Sequence, residues 1–125
     1  MTKPVLLPSE THPITVTPTG GRVVVSLGDR VLADSTRALT LQEASYPAVQ
    51  YLPLDDADPA VLERTEHTTY CPFKGDAGYF SVVTDGGVLE NSVWFYEKPH
   101  DAVAEIAGHI AFYANKVDVR LDVTE

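Results

Sequence analysis

One short segment of the sequence, residues 69–75 (TYCPFKG), combines residue types that could do chemistry. Lys74 follows Cys71 by three residues, and a nearby ammonium group can stabilise a thiolate, the reactive form of cysteine. His67 precedes Cys71 by four residues and could serve as its base. The proline and glycine in the segment favour a turn that would lift the pair clear of a sheet. The alternative is that Cys71 is a small buried hydrophobe and Lys74 is solvated.

Aromatic residues further along the chain suggest a pocket. Trp94 and Tyr96 alternate along a predicted strand, so their side chains project from one face. Tyr79 and Ser81 share a face of the strand that is predicted to pair with it. Tyrosine and tryptophan combine an apolar body with a polar tip, which suits the wall of a ligand site. The alternative is that both faces of this strand pair are buried beneath other elements.

A carboxylate adjoins the apolar face of another predicted strand. Glu43 shares that face with Leu39 and Leu41. It is therefore either a partly buried carboxylate, whose pKa burial would raise, or the solvated end of the strand. Lys74 also has alternatives, because it can be solvated on its turn, directed into a pocket, or paired with Glu43 or Asp76.

The sequence predicts neither a metal site nor a cofactor site. The four histidines are scattered along the chain at His12, His67, His100 and His109. None has a helical i, i+4 partner, and no pair brackets a carboxylate in a metal-binding pattern. The glycine pairs at 20–21 and 86–87 lack the following helix and lysine of a phosphate-binding loop. We therefore expect no metal and no cofactor.

The overall charge limits the class of partner. The 125 residues carry nine lysines and arginines against eighteen acidic residues, a formal charge of −9. Nucleic-acid binding needs a basic surface, and an anionic membrane repels an acidic protein. We therefore expect no nucleic acid and no membrane partner, and a small molecule as the possible ligand. The single cysteine and the lack of a signal-peptide pattern predict a cytoplasmic location. The pattern indicates no oligomeric state.

Short alternating runs, separated by turn residues, predict a protein built mainly of antiparallel β-strands. Strands are expected at residues 14–17, 22–26, 30–33, 39–43, 49–52, 68–70, 79–84, 88–96, 110–113 and 117–121. Hairpins are expected across residues 27–29 and 85–87, where a glycine can take the positive φ of a tight turn. The strands would form a barrel or two packed sheets.

Two short helices and an N-terminal arm complete the expected organisation. The helices are expected at residues 58–63 and 102–107, with Asp58 and Asp101 suited to their N-caps. Residues 1–11 carry two prolines and no periodicity, so we expect a loose arm there, followed by a single domain over 12–125.

The order of several motifs resembles a known family. The motifs are, in chain order, residues 31–35 (VLADS), 38–43 (ALTLQE), 51–53 (YLP), 69–75 (TYCPFKG), 94–99 (WFYEKP), 106–113 (IAGHIAFY) and 117–119 (VDV). Together they resemble the bacterial domain of unknown function 427 family, which is sometimes labelled nucleotidyltransferase-like. The resemblance covers residues 12–121, nearly the whole chain.

The resemblance implies a β-tent fold, in which antiparallel sheets meet at an angle and a pocket opens between them. Related β-tent proteins hold zinc with paired Cys-x-x-Cys motifs, but this chain has one cysteine, so structural zinc is not implied. The nucleotidyltransferase label finds no support in a sequence without a paired-aspartate metal site or a phosphate cradle. The family signature includes the Cys-Pro-Phe-Lys-Gly turn, which we expect to form a pocket with Tyr51, Tyr79, Trp94 and Tyr96.

Three functions remain open at this point. The first is a small-molecule-binding module. Its expected ligand-binding residues are Glu43, Tyr51, Tyr79, Ser81, Trp94 and Tyr96. The second is an enzyme that uses Cys71 as nucleophile or redox centre, with Lys74 or His67 activating its thiol. Its expected catalytic residues are Cys71 and Lys74. The third is a structural or interaction protein without a ligand.

Overall fold

The computed structural model describes residues 3–123. Met1 and Thr2 of the expected arm, and Thr124 and Glu125 of the expected domain, lie outside the described residues. Residues 3–123 contain ten strands. They are β1 (Ile14–Pro18), β2 (Gly21–Leu27), β3 (Arg30–Ser35), β4 (Leu39–Glu43), β5 (Val49–Pro53), β6 (Leu62–Cys71), β7 (Gly75–Thr84), β8 (Gly87–Phe95), β9 (His109–Phe112) and β10 (Asp118–Val123).

The strands form two antiparallel sheets, which confirms the expected mainly β fold. The larger sheet has seven strands in the order β1-β4-β5-β9-β8-β7-β6, and the smaller has three in the order β10-β2-β3. Both expected hairpins are present, since β2 pairs with β3 and β7 with β8. In the second hairpin Tyr79 lies directly opposite Trp94, so residues that alternate along the sequence become neighbours across the sheet.

One face of the large sheet packs against the small sheet. The apolar side chains between them form the inter-sheet core, which consists of Val23, Val25, Leu32, Ala33, Ala38, Leu52, Ala57, Val61, Val82, Val93, Ile110, Phe112 and Val117. Nearly all of these residues are aliphatic. Branched aliphatic side chains fill the space between two pleated surfaces efficiently, and their burial is the main favourable term in folding.

The large sheet is rolled, so its two halves face each other. β4 and β7 are four positions apart in the strand order, and a flat sheet would separate them by roughly 19 Å. Lys74, the residue before β7, nevertheless contacts Glu43 at the end of β4, with 2.6 Å between Nζ and Oε1. Strong twist and coiling of the sheet are therefore needed to bring the two strands together.

The inner face of this rolled sheet holds a second cluster. Its buried members are Leu41, Tyr51, Ala77, Tyr79, Tyr96, Val103, Ile106 and Ala111. Val103 and Ile106 come from a 3₁₀ turn at Asp101–Ile106, and both are fully buried. The turn therefore contributes two apolar side chains to the interior of the rolled sheet.

The two expected helices are wrong as helices, because both segments form 3₁₀ turns. Asp58 does accept a hydrogen bond from the amide of Ala60, as an N-cap should, but the turn covers only Pro59–Val61 before β6 begins. The second turn has His100 rather than Asp101 at its N-cap, this cap makes no side-chain hydrogen bond, and Val103 leaves the helical region. Leu62 and Glu63, which a longer first helix would include, instead belong to β6 and pair with β7.

Residues 3–11 form no strand but contact the turn that contains Lys74. The amide of Leu6 donates to the carbonyl of Pro72 at 3.0 Å, and the Tyr70 hydroxyl donates to the carbonyl of Pro4. Lys3 pairs with Asp76 at 2.6 Å. This arm therefore follows the outside of the turn.

Candidate functional site

The turn between β6 and β7 places Lys74 inside the rolled sheet. The amide of Lys74 donates to the carbonyl of Cys71, which closes the turn. Gly75 follows with φ of +114°, a backbone conformation that favours glycine and redirects the chain into β7. Among the residues whose burial is described, Lys74 is the only charged one that is buried, with 8% of its surface exposed. The alternative of a solvated Lys74 is therefore wrong.

Lys74, Glu43 and His12 form an ionic cluster, a name we keep for these three residues. Glu43 accepts a hydrogen bond from Lys74 on Oε1 at 2.6 Å, and its Oε2 lies 2.7 Å from Nε2 of His12. The ring of Phe73 stacks on that of His12, with centroids 4.1 Å apart. Both partners of Glu43 are 31 residues away in sequence, so only folding brings the three side chains together.

The alternative of a raised pKa for Glu43 is wrong in direction. Burial acts to raise the pKa of this carboxyl, but hydrogen bonds from Lys74 and His12 outweigh burial and hold it below its usual value. Only 17% of the Glu43 side chain is exposed, so it is not a solvated strand end either. The carboxylate is charged and has a partner on each oxygen.

Beside the ionic cluster lies a cavity of about 210 Å³, which we call the aromatic chamber. Five of the six tyrosines in the sequence and its single tryptophan line it. These residues are Tyr46, Tyr51, Tyr79, Trp94, Tyr96 and Tyr113. Glu43 and Lys74 line it as well. The chamber is therefore bounded by aromatic surfaces with polar tips and by one ion pair.

Hydrogen bonds fix part of the aromatic wall. The indole of Trp94 donates to the hydroxyl of Tyr51 at 3.1 Å, and the hydroxyls of Tyr79 and Thr69 are 2.9 Å apart. Burial raises the pKa of Tyr51 and of Tyr96 far above the range of ordinary phenols. Both hydroxyls therefore stay protonated at any physiological pH and can act as donors.

The thiol of Cys71 lies next to the ionic cluster. Its Sγ is 3.6 Å from Nζ of Lys74, and the residue is a partly buried free cysteine. His67, the other expected partner of this cysteine, is exposed and packs on the ring of Tyr79, with centroids 4.5 Å apart. The geometry thus associates Cys71 with Lys74 and engages His67 elsewhere.

Most of the expected site residues come together, and Ser81 does not. Glu43, Tyr51, Tyr79, Trp94 and Tyr96 all line the chamber together with Lys74. Ser81 lies where the pairing of β7 and β8 shifts register, and its hydroxyl accepts a hydrogen bond from the amide of Asn91 at 3.1 Å. Asn91 has a positive φ of 49°, so Ser81 supports the irregular backbone of β8.

Two further features, a metal site and a membrane-spanning helix, can be checked within the described residues. Residues 3–123 contain no group of three or more histidine, cysteine or acidic side chains positioned to hold a metal ion. Across the same described residues, no helix has the length and apolar character required to cross a membrane.

The family model for the domain of unknown function DUF427 matches residues 15–123. The chain belongs to this family. The match contains the Cys71–Gly75 turn and the whole lining of the aromatic chamber. No curated protein matches the chain.

In this member of the DUF427 family, sequence reasoning did not assign His12, Tyr46 or Tyr113 to the site. His12 gives no local signal, because its contact with Glu43 depends on the fold. Tyr46 and Tyr113 line the chamber, and the six tyrosines in 125 residues were a compositional hint of an aromatic wall. His12 also lies outside the segment matched by the DUF427 model.

Proposed function

We propose that the protein binds a small, partly apolar ligand in the aromatic chamber. The observation that carries this proposal is the convergence of five tyrosines and the only tryptophan on one cavity beside the ion pair of Lys74 and Glu43. A concave, mainly aromatic wall with a few polar groups is typical of small-molecule sites. A wall needed only for stability would be better filled by aliphatic side chains, as in the inter-sheet core.

The polar groups of the chamber favour a ligand that accepts hydrogen bonds. An ammonium group has three hydrogens, and Lys74 directs one to Glu43 and one towards the Cys71 sulfur. Within residues 3–123 the third has no partner, so it can reach a carbonyl oxygen of a ligand. The protonated hydroxyls of Tyr51 and Tyr96 add donors. The ligand we propose therefore combines an aromatic or apolar body with a carbonyl-type acceptor.

Thermal unfolding with and without aromatic carbonyl compounds tests this proposal, because a ligand selective for the native state raises its stability. Acetophenone and benzamide are suitable probes. Lys74→Met should weaken their binding by about tenfold to a hundredfold, the worth of a charge-assisted hydrogen bond. Lys3→Met is the matched control, since it removes an exposed lysine beside the same turn.

The proposal predicts a loss of affinity in Lys74→Met and none in Lys3→Met. If neither probe raises the melting temperature of the wild-type protein at millimolar concentration, the chamber is not a site of this class. An interaction protein without a ligand then becomes the better account. Equal affinities in both variants would remove Lys74 as the polar anchor.

A second candidate function is thiol chemistry at Cys71, favoured by the 3.6 Å between its sulfur and Nζ of Lys74. An adjacent ammonium group stabilises the thiolate, which is the nucleophilic form. Alkylation by iodoacetamide at pH 7 should therefore be several-fold slower in Lys74→Met than in the wild type. His67→Ala is the control and should react at the wild-type rate. Equal rates in all three proteins would rule out activation by Lys74.

A further inference from the structure

A second cavity of about 360 Å³ adjoins the aromatic chamber. The two cavities share five lining residues, which are Tyr46, Pro47, Val49, Trp94 and Tyr113. Tyr46 is 61% exposed, so it stands at the rim of both. Trp94 and Tyr113 pack against each other with ring centroids 4.6 Å apart. A molecule bound in the chamber would therefore have the second cavity directly beside it.

The second cavity differs from the chamber in having no charged residue in its described lining. Val25, Leu52 and Phe112 supply apolar side chains from the inter-sheet core. Its one amide side chain, Gln50, is already engaged, since its oxygen accepts from Thr19 and its nitrogen donates to Thr40. The indole nitrogen of Trp94 is likewise bonded to Tyr51. The side chains here therefore offer mainly apolar surface to a ligand.

We propose that the ligand is amphipathic, with a neutral carbonyl head in the aromatic chamber and an alkyl tail in the second cavity. The inference rests on the proposed function and specifies its ligand class. A neutral head fits better than a carboxylate, because Glu43 already balances the charge of Lys74 and would repel a second anion. The alkyl tail fits because the second cavity offers apolar contacts and no charged partner.

A homologous series of n-alkyl phenyl ketones, from acetophenone to octanophenone, tests the tail directly. Trp94 is the only tryptophan and lies in the wall shared by both cavities, so its fluorescence reports binding of each ketone. Each added CH₂ should tighten binding about fourfold, which corresponds to about 0.8 kcal/mol of hydrophobic transfer. The gain should stop once the second cavity is filled.

Two variants locate the tail. Ala48 and Ala114 are exposed and line the second cavity but not the chamber, so a larger side chain there fills space without entering the fold's interior. In Ala48→Phe and in Ala114→Phe, each added CH₂ should therefore leave the affinity nearly unchanged instead of raising it about fourfold. Ala104→Phe is the matched control, since Ala104 is exposed on the 101–106 turn and lines neither cavity. It should keep the fourfold increment.

The outcomes separate this inference from the proposed function. If acetophenone binds and longer ketones bind no more tightly, the tail proposal is overturned and the chamber remains a ligand site. A chain-length increment that persists in both Ala48→Phe and Ala114→Phe would place the tail elsewhere and also overturn it. A third outcome is that the tightening per CH₂ is lost in Ala48→Phe and Ala114→Phe, while Lys74→Met leaves the affinity for the ketones unchanged. The second cavity would then still hold the tail, but the assignment of the carbonyl head to Lys74 would be wrong. Binding by no ketone overturns both.

Discussion

The two faces of the seven-stranded sheet carry different types of side chain. The inter-sheet core is almost entirely aliphatic, and most of its residues are completely buried. The inner face of the rolled sheet carries tyrosines, a tryptophan and the ionic cluster around a cavity. Both faces belong to the same strands, because neighbouring residues such as Tyr79 and Phe80 point to opposite sides.

The difference indicates a division between stability and binding. Aliphatic side chains interdigitate and have no polar groups that need hydrogen-bond partners, so burial alone stabilises the inter-sheet core. Burying a phenol, an indole or a charge costs free energy where it lacks a hydrogen-bond partner, which makes the inner face a weaker source of stability and a better surface for recognition. Five substitutions test this division, and the largest effect is expected in the inter-sheet core.

Leu32→Ala should be the most destabilising of the five. Leu32 has no exposed surface, and truncating a fully buried leucine leaves a cavity that typically costs about 2–5 kcal/mol. Urea unfolding measures this loss, and the affinity of the folded variant for acetophenone should stay at the wild-type value. A loss below about 1 kcal/mol would contradict the view that this core dominates stability.

Lys74→Met should lower the free energy of unfolding by about 1–3 kcal/mol, because Glu43 is mostly buried and loses one of its two partners. The exposed control Lys3→Met should stay within about 0.5 kcal/mol of wild type. A strong loss of stability with unchanged ligand affinity would assign Lys74 to the fold alone. The inner face would then lose its main polar anchor for a ligand.

Glu43→Gln should lower stability by about 1–2 kcal/mol at pH 7, since it removes the charge but keeps some hydrogen bonding. Burial opposes ionisation of Glu43, yet its partners hold its pKa below 4.5. The carboxylate therefore contributes stability fully above pH 4.5, and this contribution is lost as pH falls through the lowered folded-state pKa.

Unfolding curves from pH 5 to pH 2 check this sign, because the difference between wild type and Glu43→Gln should shrink as the Glu43 carboxylate becomes protonated. Asp34→Asn is the control. It breaks the exposed Arg22–Asp34 pair, where solvent screens the charges and the pH dependence should be weaker. A difference that grows towards low pH would contradict the ionic role of Glu43.

The smallest effect separates two phenols of the aromatic chamber. Tyr51→Phe removes the acceptor of the Trp94 indole and should cost about 0.5–1.5 kcal/mol. Tyr96→Phe should cost less, since no hydrogen bond of the Tyr96 hydroxyl is found within residues 3–123. Urea unfolding ranks the two variants, and the Trp94 emission should shift only in Tyr51→Phe. The reverse ranking would contradict the proposed network.

Local patterns in the sequence were enough to predict the mainly β fold and most strands. The hairpins at residues 27–29 and 85–87 follow from glycine at positions that need positive φ, such as Gly28 at +59°. The alternation of apolar and polar residues did not predict the full length of β6. This strand runs over Leu62–Cys71, whereas the pattern indicates a strand only at residues 68–70. An edge strand with most side chains exposed carries little apolar alternation, so its pairing with β7 had no local signal.

The sequence also marked the turn and the aromatic residues, but their meeting depends on long-range packing. Alternation placed Trp94 and Tyr96 on one face, and proline and glycine predicted the bend around Lys74. The partner of Lys74 could not be chosen between Glu43 and Asp76, because sequence proximity favours Asp76 and only the rolled sheet brings Glu43 within 2.6 Å. Asp76 pairs instead with Lys3 on the outside of the turn.

Tertiary structure alone decided the sign of the Glu43 pKa shift and the existence of the two cavities. Burial and partners act on a carboxylate in opposite directions, and sequence shows neither the degree of burial nor the distance to His12. Likewise, the aromatic chamber is space left between side chains from β4, β5, β7, β8 and the segments beside them, and the second cavity also borders β2 and β10 of the small sheet. The volume of the chamber depends on how far the large sheet rolls, a property of twist summed over seven strands.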